Sequence, residues 1–167
     1  IAGLFGLKTA ALEKANVLEI GCGEGMNLVP LAGRYSKGSF VGIDTSETKI
    51  QKARKTVKDL TLGNVNFIKS SVFDDNFDGR KFDYIIVNGL YSWVSPETQK
   101  GLLKLCNDAL TDQGVVYISY NTLPGWNAIK TIREMMIYHG SRFDKVDDQV
   151  AEAQKMLLFI SQNMSDT

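Results

Sequence analysis

The segment that most constrains the fold spans residues 17–26, VLEIGCGEGM, where an apolar run passes into a glycine-rich turn. Gly21, Gly23 and Gly25 stand at alternate positions in this turn. Glycine lacks a Cβ, so it adopts positive φ readily and lets a ligand approach the main chain closely. The segment therefore predicts a buried first strand followed by a loop that cradles a ligand.

The spacing of the glycines also discriminates between ligands. A dinucleotide-binding loop reads G-x-G-x-x-G, and its third glycine permits close helix–strand packing beside a pyrophosphate. Here Met26 occupies that third position, and Gly25 lies one residue earlier. A bulky side chain at position 26 argues against a bound pyrophosphate and favours a smaller ligand without phosphate.

Short apolar runs alternate with helical patterns along the chain. Runs rich in β-branched residues predict parallel strands covered on both faces, at 17–20, 40–43, 65–68, 84–87 and 115–118. Apolar stripes predict helices over about 46–60 and 96–110, and Pro30 suits the first turn of the helix after the glycine loop. Residues 110–114 are predicted to turn into the fifth strand.

This alternation predicts an α/β fold with a doubly wound, mainly parallel sheet of about five strands. The loops after the first, second and fourth strands then meet at the topological switch point, where ligands bind. Residues 1–125 would form this ligand-binding core. Residues 126–167 would form a helical extension of the same domain, with helices at 126–139 and 147–163 that bury Ile129, Ile132, Met136, Val150, Ala153, Leu157 and Ile160.

Composition narrows the class of protein. The chain has 167 residues, a formal net charge of zero and no block of like charge, so we predict neither a nucleic-acid partner nor a membrane surface. Cys22 and Cys106 lack metal-site spacing and are expected to be reduced thiols in a cytoplasmic protein. The single histidine, His139, is predicted on the surface or at a helix end, and no metal site can be assembled.

The first residue is isoleucine and the chain opens on a helical pattern, formed by Leu4, Leu7, Ala11 and Leu12. We therefore expect this sequence to be a piece of a longer protein.

Asp44 ends the second predicted strand, about 20 residues beyond the glycine loop, where an acidic side chain can accept hydrogen bonds from both ribose hydroxyls. The alternative is that Asp44 or Thr45 caps the helix that follows. A dehydrogenase places an acid here too, so Asp44 alone does not choose the cofactor.

The pattern E-x-G-x-G-x-G, from Glu19 to Gly25, resembles motif I of class I S-adenosylmethionine-dependent methyltransferases. The resemblance implies S-adenosylmethionine as cofactor. It also implies a sheet that continues into a final antiparallel hairpin, so the last strands are missing here or follow a helical insertion beyond Thr167. The implied cofactor-binding residues in the first two loops are Glu19, Gly21, Cys22, Gly23, Gly25, Asp44 and Thr45.

The resemblance assigns roles to the later loops as well. After the third strand, Ser71 stands where the class usually has an acid for the adenine amino group, and Val72 would pack on the adenine face. Asp74, Asp75 and Asp78 are predicted to form a solvated turn. After the fourth strand, Asn88, Gly89 and Leu90 would approach the methionine moiety.

Two aromatic segments carry a more specific resemblance. The sequences YSWV at 91–94 and YNTLPGW at 120–126, followed by MMIYH at 135–139, resemble bacterial methyltransferases that carry a methyltransferase regulatory domain. That family includes the rickettsial outer-membrane-protein lysine methyltransferases. The resemblance covers roughly residues 4–160 and implies methylation of a protein lysine.

Tyr91, Tyr120 and Asn121 are the candidate catalytic residues, because they could desolvate and orient an amine acceptor. From the residues alone, the acceptor stays open between a protein lysine and a small-molecule amine. Two other functions also stay open, a cofactor-binding module without turnover and a nicotinamide-dependent oxidoreductase.

Overall fold

A computed structural model describes residues 2–74, 77 and 79–163, and within this part of the chain five parallel strands form one sheet. The order of the strands is β3-β2-β1-β4-β5, which places the topological switch point between β1 and β4. The prediction of a doubly wound, parallel sheet is confirmed. The strands are β1 Asn16–Ile20, β2 Ser39–Asp44, β3 Val65–Lys69, β4 Phe82–Val87 and β5 Leu110–Ile118.

The predicted helices are also present. They are α1 Leu28–Arg34, α2 Glu47–Asp59, α3 Pro96–Ala109, α4 Asn127–Gly140 and α5 Val146–Asn163. Pro30 lies in the first turn of α1, where its missing N–H leaves no helical hydrogen bond unmade. Short 3₁₀ turns occur at Ala2–Phe5, Leu12–Lys14 and Tyr91–Trp93.

Each face of the sheet has its own hydrophobic core. Side chains of α1 and α2, among them Leu28 and Ile50, pack on one face around Phe67. On the other face, Leu102 of α3 packs with Phe82. The side chains of Leu28, Ile50, Leu102 and Phe82 are all 0% exposed. Burial of both faces explains why the strands are apolar on successive residues.

Residues 110–114 turn as predicted, although β5 already begins at Leu110. Leu110 pairs with Phe82 and Val115 pairs with Tyr84, so five residue steps of β5 lie opposite two of β4. A Cβ on Gly114 would lie 3.0 Å from the carbonyl oxygen of Thr111, so the chain is not extended through this irregularity. One local prediction was wrong: the apolar pattern near the start does not form an α-helix, since it gives two 3₁₀ turns that leave Leu4 87% exposed.

The chain divides into two compact units, Ile1–Tyr120 and Asn121–Thr167. In the second unit α4 and α5 pack against each other, but Ile129, Val150 and Leu157 are 51%, 53% and 42% exposed. The prediction that these three side chains are buried was wrong, because two helices alone cannot cover the apolar stripes. Among the described helices, none has both the length and the apolar character needed to span a bilayer.

Candidate cofactor and methyl-acceptor site

The glycine loop is tied to the end of the neighbouring strand by its backbone. The N–H groups of Gly21 and Cys22 both donate to the carbonyl of Ile43, at 2.8 and 3.0 Å. Ile43 belongs to β2, so the turn out of β1 is fixed against the carboxyl end of the adjacent strand. This places the loop at the switch point, as the sequence predicted.

The three glycines of the loop meet different surroundings, although all have positive φ. A Cβ on Gly25 would lie 2.5 Å from the Phe67 ring, and a Cβ on Gly21 would lie 3.2 Å from Leu90. A Cβ on Gly23 would meet no atom within 4 Å. Gly25 is therefore required for packing of the core, whereas Gly23 leaves open space beside the backbone where a ligand can lie.

The carboxylate of Asp44 is held by two backbone donors. Gly23 N–H donates to Oδ2 at 3.0 Å and Ser46 N–H donates to Oδ1 at 2.9 Å. Each oxygen keeps a further lone pair, so the carboxylate can still accept bonds from two ligand hydroxyls. The cap of α2 is Ser46, whose hydroxyl accepts from Lys49 N–H, so the alternative of Asp44 or Thr45 as the cap was wrong.

Glu19 is the buried acid of the site. Its side chain is 4% exposed, and Oε1 accepts a hydrogen bond from Asn27 Nδ2 at 3.1 Å. Among the described residues, no group bonds Oε2, although this oxygen is buried. Burial raises the pKa of Glu19 to about 6, and the bond from Asn27 opposes part of that rise. An orphaned carboxylate oxygen is well suited to a cationic ligand group.

Cys22 is a core residue of the loop. Its side chain is 7% exposed, and burial, together with the charges of Glu19 and Asp44, raises the thiol pKa to about 12. The thiol is therefore protonated and unreactive. Its contribution at the site comes from its backbone and its packing.

A cavity of about 370 Å³ lies at the carboxyl ends of β1, β2 and β3. Six of the predicted cofactor-binding residues line it, namely Gly21, Asp44, Thr45, Ser71, Val72 and Leu90. Lys49 and Phe73 also line it and were missed from the sequence, because neither belongs to a recognisable motif. Of the other predicted cofactor residues, Glu19 lies in β1 and the rest lie in the loops after β1 and β4, none of them in the cavity wall.

Ser71 and Asp74 form a local turn after β3. Phe73 N–H donates to the Ser71 hydroxyl at 3.2 Å, and Asp74 Oδ2 accepts from Ser71 N–H at 2.7 Å. The Ser71 backbone and hydroxyl both bond the Asp74 carboxylate and hold the pKa of Asp74 below its usual value. Asp74 is exposed as predicted, and Asp75 and Asp78 lie outside the described residues.

The segment after β4 is joined to the end of β5 by Ser119. Gly89 N–H donates to Ser119 Oγ at 2.7 Å, and this hydroxyl donates to Asn88 Oδ1 at 2.9 Å. A Cβ on Gly89, with φ +66°, would meet nothing within 4 Å. Ser119 was missed because a serine after a strand carries no sequence signal of its own.

Two of the predicted catalytic residues are neighbours. The rings of Tyr91 and Tyr120 meet edge to face with centroids 6.2 Å apart. Tyr120 is 61% exposed and Trp93 is 56% exposed, so this end of the sheet presents aromatic surface to solvent. Asn121, the third predicted residue, begins the second compact unit.

The second unit places His139 in the last turn of α4, as predicted, with Nε2 3.6 Å from Glu152 Oε2. Across the part of the chain that the structure describes, no group of three or more His, Cys, Asp or Glu side chains is arranged to hold a metal ion.

A parallel sheet with a glycine loop after β1, an acid at the end of β2 and a cavity at the carboxyl ends of the strands is typical of proteins with a Rossmann-like fold that bind a nucleoside cofactor. Comparison with known proteins is more specific. Residues 17–114 match the model of the methyltransferase domain family, and the chain belongs to that family.

Two relatives of high identity are proteins of Rickettsia prowazekii. An uncharacterized protein of Rickettsia prowazekii, RP028, is 42% identical over 167 residues, which cover 100% of this chain and 67% of RP028. A second protein of that organism, RP789, is 42% identical over 164 residues, 98% of this chain and 30% of its own length. The structure of PKMT2 from Rickettsia typhi in complex with AdoHcy is similar with a TM-score of 0.78 at 43% identity.

The chain covers only part of the longer relatives. It spans 32% of the PKMT2 chain, while PKMT2 matches 98% of this chain. Activity, substrate and partners of a whole protein therefore belong to the proposal that follows.

Proposed function

We propose that this protein is an S-adenosylmethionine-dependent methyltransferase whose acceptor is an amine, and specifically a protein lysine. The observation that carries the cofactor is the pairing of an open glycine cradle with two differently placed acids. Asp44 is held by backbone donors at one end of the cavity, and Glu19 keeps an orphaned, buried oxygen near the loop. Membership of the methyltransferase domain family supports the same cofactor.

The residues present fit the two ends of this cofactor. Asp44 would accept hydrogen bonds from the ribose hydroxyls, and Ser71 and Val72 would hold the adenine ring. Glu19 would face the ammonium group of the amino-acid end, because its unpartnered oxygen is compensated there by a positive charge. Bound S-adenosylmethionine would supply an electrophilic methyl group on a sulfonium.

The acceptor must arrive as a neutral amine, since an ammonium has no lone pair for the displacement. Tyr91 and Tyr120 would remove water from the amine and orient it, and Asn121 would accept one of its hydrogen bonds. A protein lysine is favoured by the similarity to PKMT2 of Rickettsia typhi and by the aromatic segments noted above. A cytoplasmic location is part of the same proposal.

The test is calorimetric titration of the purified chain with S-adenosylhomocysteine, with NADH as the comparison ligand. We expect binding of S-adenosylhomocysteine alone. Binding of NADH instead would favour an oxidoreductase, and binding of neither would contradict the proposed cofactor site.

A pair of glycine variants shows whether the ligand occupies the cradle. Gly23→Val should abolish detectable binding of S-adenosylhomocysteine, because the new side chain enters the open space beside the loop; at a φ of +56° it also strains the backbone by about 1–3 kcal/mol. Gly79→Val is the matched control, since Gly79 also has positive φ (+74°) and an open Cβ position but lies before β4. Unchanged binding by Gly23→Val would contradict the assignment.

A second assay separates an enzyme from a binding module. The full-length protein would be incubated with radiolabelled S-adenosylmethionine and lysine-containing proteins, with reductively methylated proteins as the blocked control. Transfer to the unblocked protein alone supports a lysine acceptor. Binding without transfer to any acceptor would favour a module without turnover.

A further inference from the structure

Ser119 directly follows β5, and the role assigned to it below rests on the proposed cofactor. Ser119 is held in the sheet, because its N–H donates to the carbonyl of Val87 at 3.0 Å. Its hydroxyl lies between two groups of the neighbouring segment, Gly89 N–H and the side chain of Asn88. Ser119 thus connects the segment after β4 to the end of β5.

The polarity of this small network follows from the backbone. The Gly89 N–H can only donate, so it occupies a lone pair of Ser119 Oγ at 2.7 Å. The hydroxyl then donates its single proton to Asn88 at 2.9 Å, and the Asn88 atom that receives it is Oδ1. With Oδ1 engaged, the Nδ2 group of Asn88 is left to donate to a ligand.

The position of Asn88 identifies the ligand group. Asp44 and Ser71, at the ends of β2 and β3, would hold the ribose and adenine, so the amino-acid end lies toward β1 and β4. The segment after β4 lies against the glycine loop after β1, because a Cβ on Gly21 would lie 3.2 Å from the side chain of Leu90. Glu19 suits the ammonium of that amino acid. The other charged group of that amino acid is its carboxylate, which is bound by N–H donors.

We propose that Ser119 is a positioning residue that fixes the orientation of the Asn88 amide, so that Nδ2 donates to the carboxylate of the bound cofactor. Ser119 does not touch the cofactor. It acts by holding Asn88 Oδ1 and Gly89 N–H, and its effect is confined to ligands that carry the amino-acid end.

The test compares two nucleosides by calorimetry on the purified chain. S-adenosylhomocysteine carries the amino-acid carboxylate, and 5′-methylthioadenosine lacks the amino-acid end. Ser119→Ala should weaken S-adenosylhomocysteine by about two- to tenfold, the value of one neutral hydrogen bond, and leave 5′-methylthioadenosine within about twofold. Ser119→Thr keeps the hydroxyl and should restore the wild-type affinity.

Asn88→Asp gives an independent readout. An aspartate still accepts from the Ser119 hydroxyl, but it turns a carboxylate toward the ligand carboxylate. Its affinity for S-adenosylhomocysteine should fall at least as far as that of Ser119→Ala, again with 5′-methylthioadenosine unaffected. Ser36→Ala, an exposed serine before β2, is the control and should bind both nucleosides like the wild type.

Equal losses for the two nucleosides in Ser119→Ala, or no loss for either, would overturn the inference. So would an Asn88→Asp chain that binds S-adenosylhomocysteine as tightly as the wild type. A wild-type chain that binds neither nucleoside would instead overturn the proposed cofactor, and this inference with it.

Discussion

The carboxyl edge of the sheet has two halves that are built differently. In the cofactor half, at the ends of β1, β2 and β3, Glu19 and Cys22 are 4% and 7% exposed, although Phe73 in the cavity wall is 61% exposed. The acceptor half, at the ends of β4 and β5, is open, with Trp93 56% and Tyr120 61% exposed. One sheet thus carries a packed ligand cradle beside an aromatic surface that faces water.

The bonds that hold the two halves differ in the same way. In the cofactor half, backbone N–H groups donate to the Ile43 carbonyl and to the Asp44 carboxylate, so the loop cannot move without loss of strand contacts. In the acceptor half, the hydroxyl of Ser119 makes the link to the neighbouring segment. Substitutions in the first half should affect stability as well as ligand binding, and those in the second should affect ligand binding or methyl transfer with little effect on stability.

The strongest way to break the comparison is Gly25→Ala. The added Cβ would lie 2.5 Å from the ring of Phe67, which is 1% exposed, at a φ of +80°. Overpacking and backbone strain together should lower the free energy of unfolding by about 3 kcal/mol or more, measured by denaturant titration.

Gly33→Ala is the control for this substitution. Gly33 lies in α1 with no atom within 4 Å of its Cβ position, so alanine should stabilise the helix by about 0.5–1 kcal/mol. A Gly25→Ala chain as stable as the wild type would show that the cofactor half tolerates rearrangement.

The next largest effect is expected for Asp44→Ala. It removes a carboxylate that holds the Gly23 and Ser46 N–H groups and that would bind the ribose. Loss of charged hydrogen bonds should weaken S-adenosylhomocysteine by about tenfold to a hundredfold in calorimetry. Asp112→Ala, an exposed acid within β5, should leave the affinity unchanged; equal affinities in the two variants would rule out Asp44 as a ligand.

The fold could be predicted from the sequence because parallel strands buried on both faces leave a short, continuous apolar signal. The five runs lie within β1 to β5, and the glycine loop lies after β1. The register shift of β5 could not be predicted, since it depends on how Leu110 and Val115 pair with another strand. The apolar stripes of α4 and α5 led to a wrong prediction of burial, because periodicity identifies an apolar face but not whether another element covers it.

In the candidate site too, residues in a local sequence motif could be predicted, and residues brought in by packing could not. Gly23 and Asp44 stand in a recognisable spacing, so sequence alone could propose them. Ser119 and Lys49 could not be proposed, because their positions at the site arise from packing between elements far apart in the chain. Gly25 has the same spacing signal as Gly23, yet what the structure shows beside it is the ring of Phe67.

The burial of Glu19 in the cofactor half should make the free energy of unfolding depend on pH. Burial raises the pKa of Glu19 from 4.5 to about 6, so the folded chain binds this proton more tightly than the unfolded chain. Stability attributable to Glu19 is therefore present below about pH 4.5 and is lost as pH rises through about 6. Glu19→Gln should be more stable than the wild type by about 2 kcal/mol above pH 6, with the gain vanishing below pH 4.5.

The comparison of Glu19→Gln with the wild type isolates Glu19, since the exposed acids with lowered pKa values, Asp74, Asp108 and Glu152, contribute equally to both chains. Glu13→Gln, at an exposed position, should show no such pH-dependent gain. A gain that persists at pH 4 would place its origin outside the ionisation of Glu19.

The smallest effect on the chain itself is expected for Tyr120→Ala in the acceptor half. This side chain is largely exposed and meets the ring of Tyr91 edge to face, so the free energy of unfolding should change by less than about 1 kcal/mol. Affinity for S-adenosylhomocysteine should stay within about twofold of the wild type. In the full-length protein, however, transfer of methyl groups should slow, because Tyr120 would orient the acceptor. A parallel loss of stability or cofactor affinity would mean that the acceptor half is as tightly built as the cofactor half, and the distinction between them would fail.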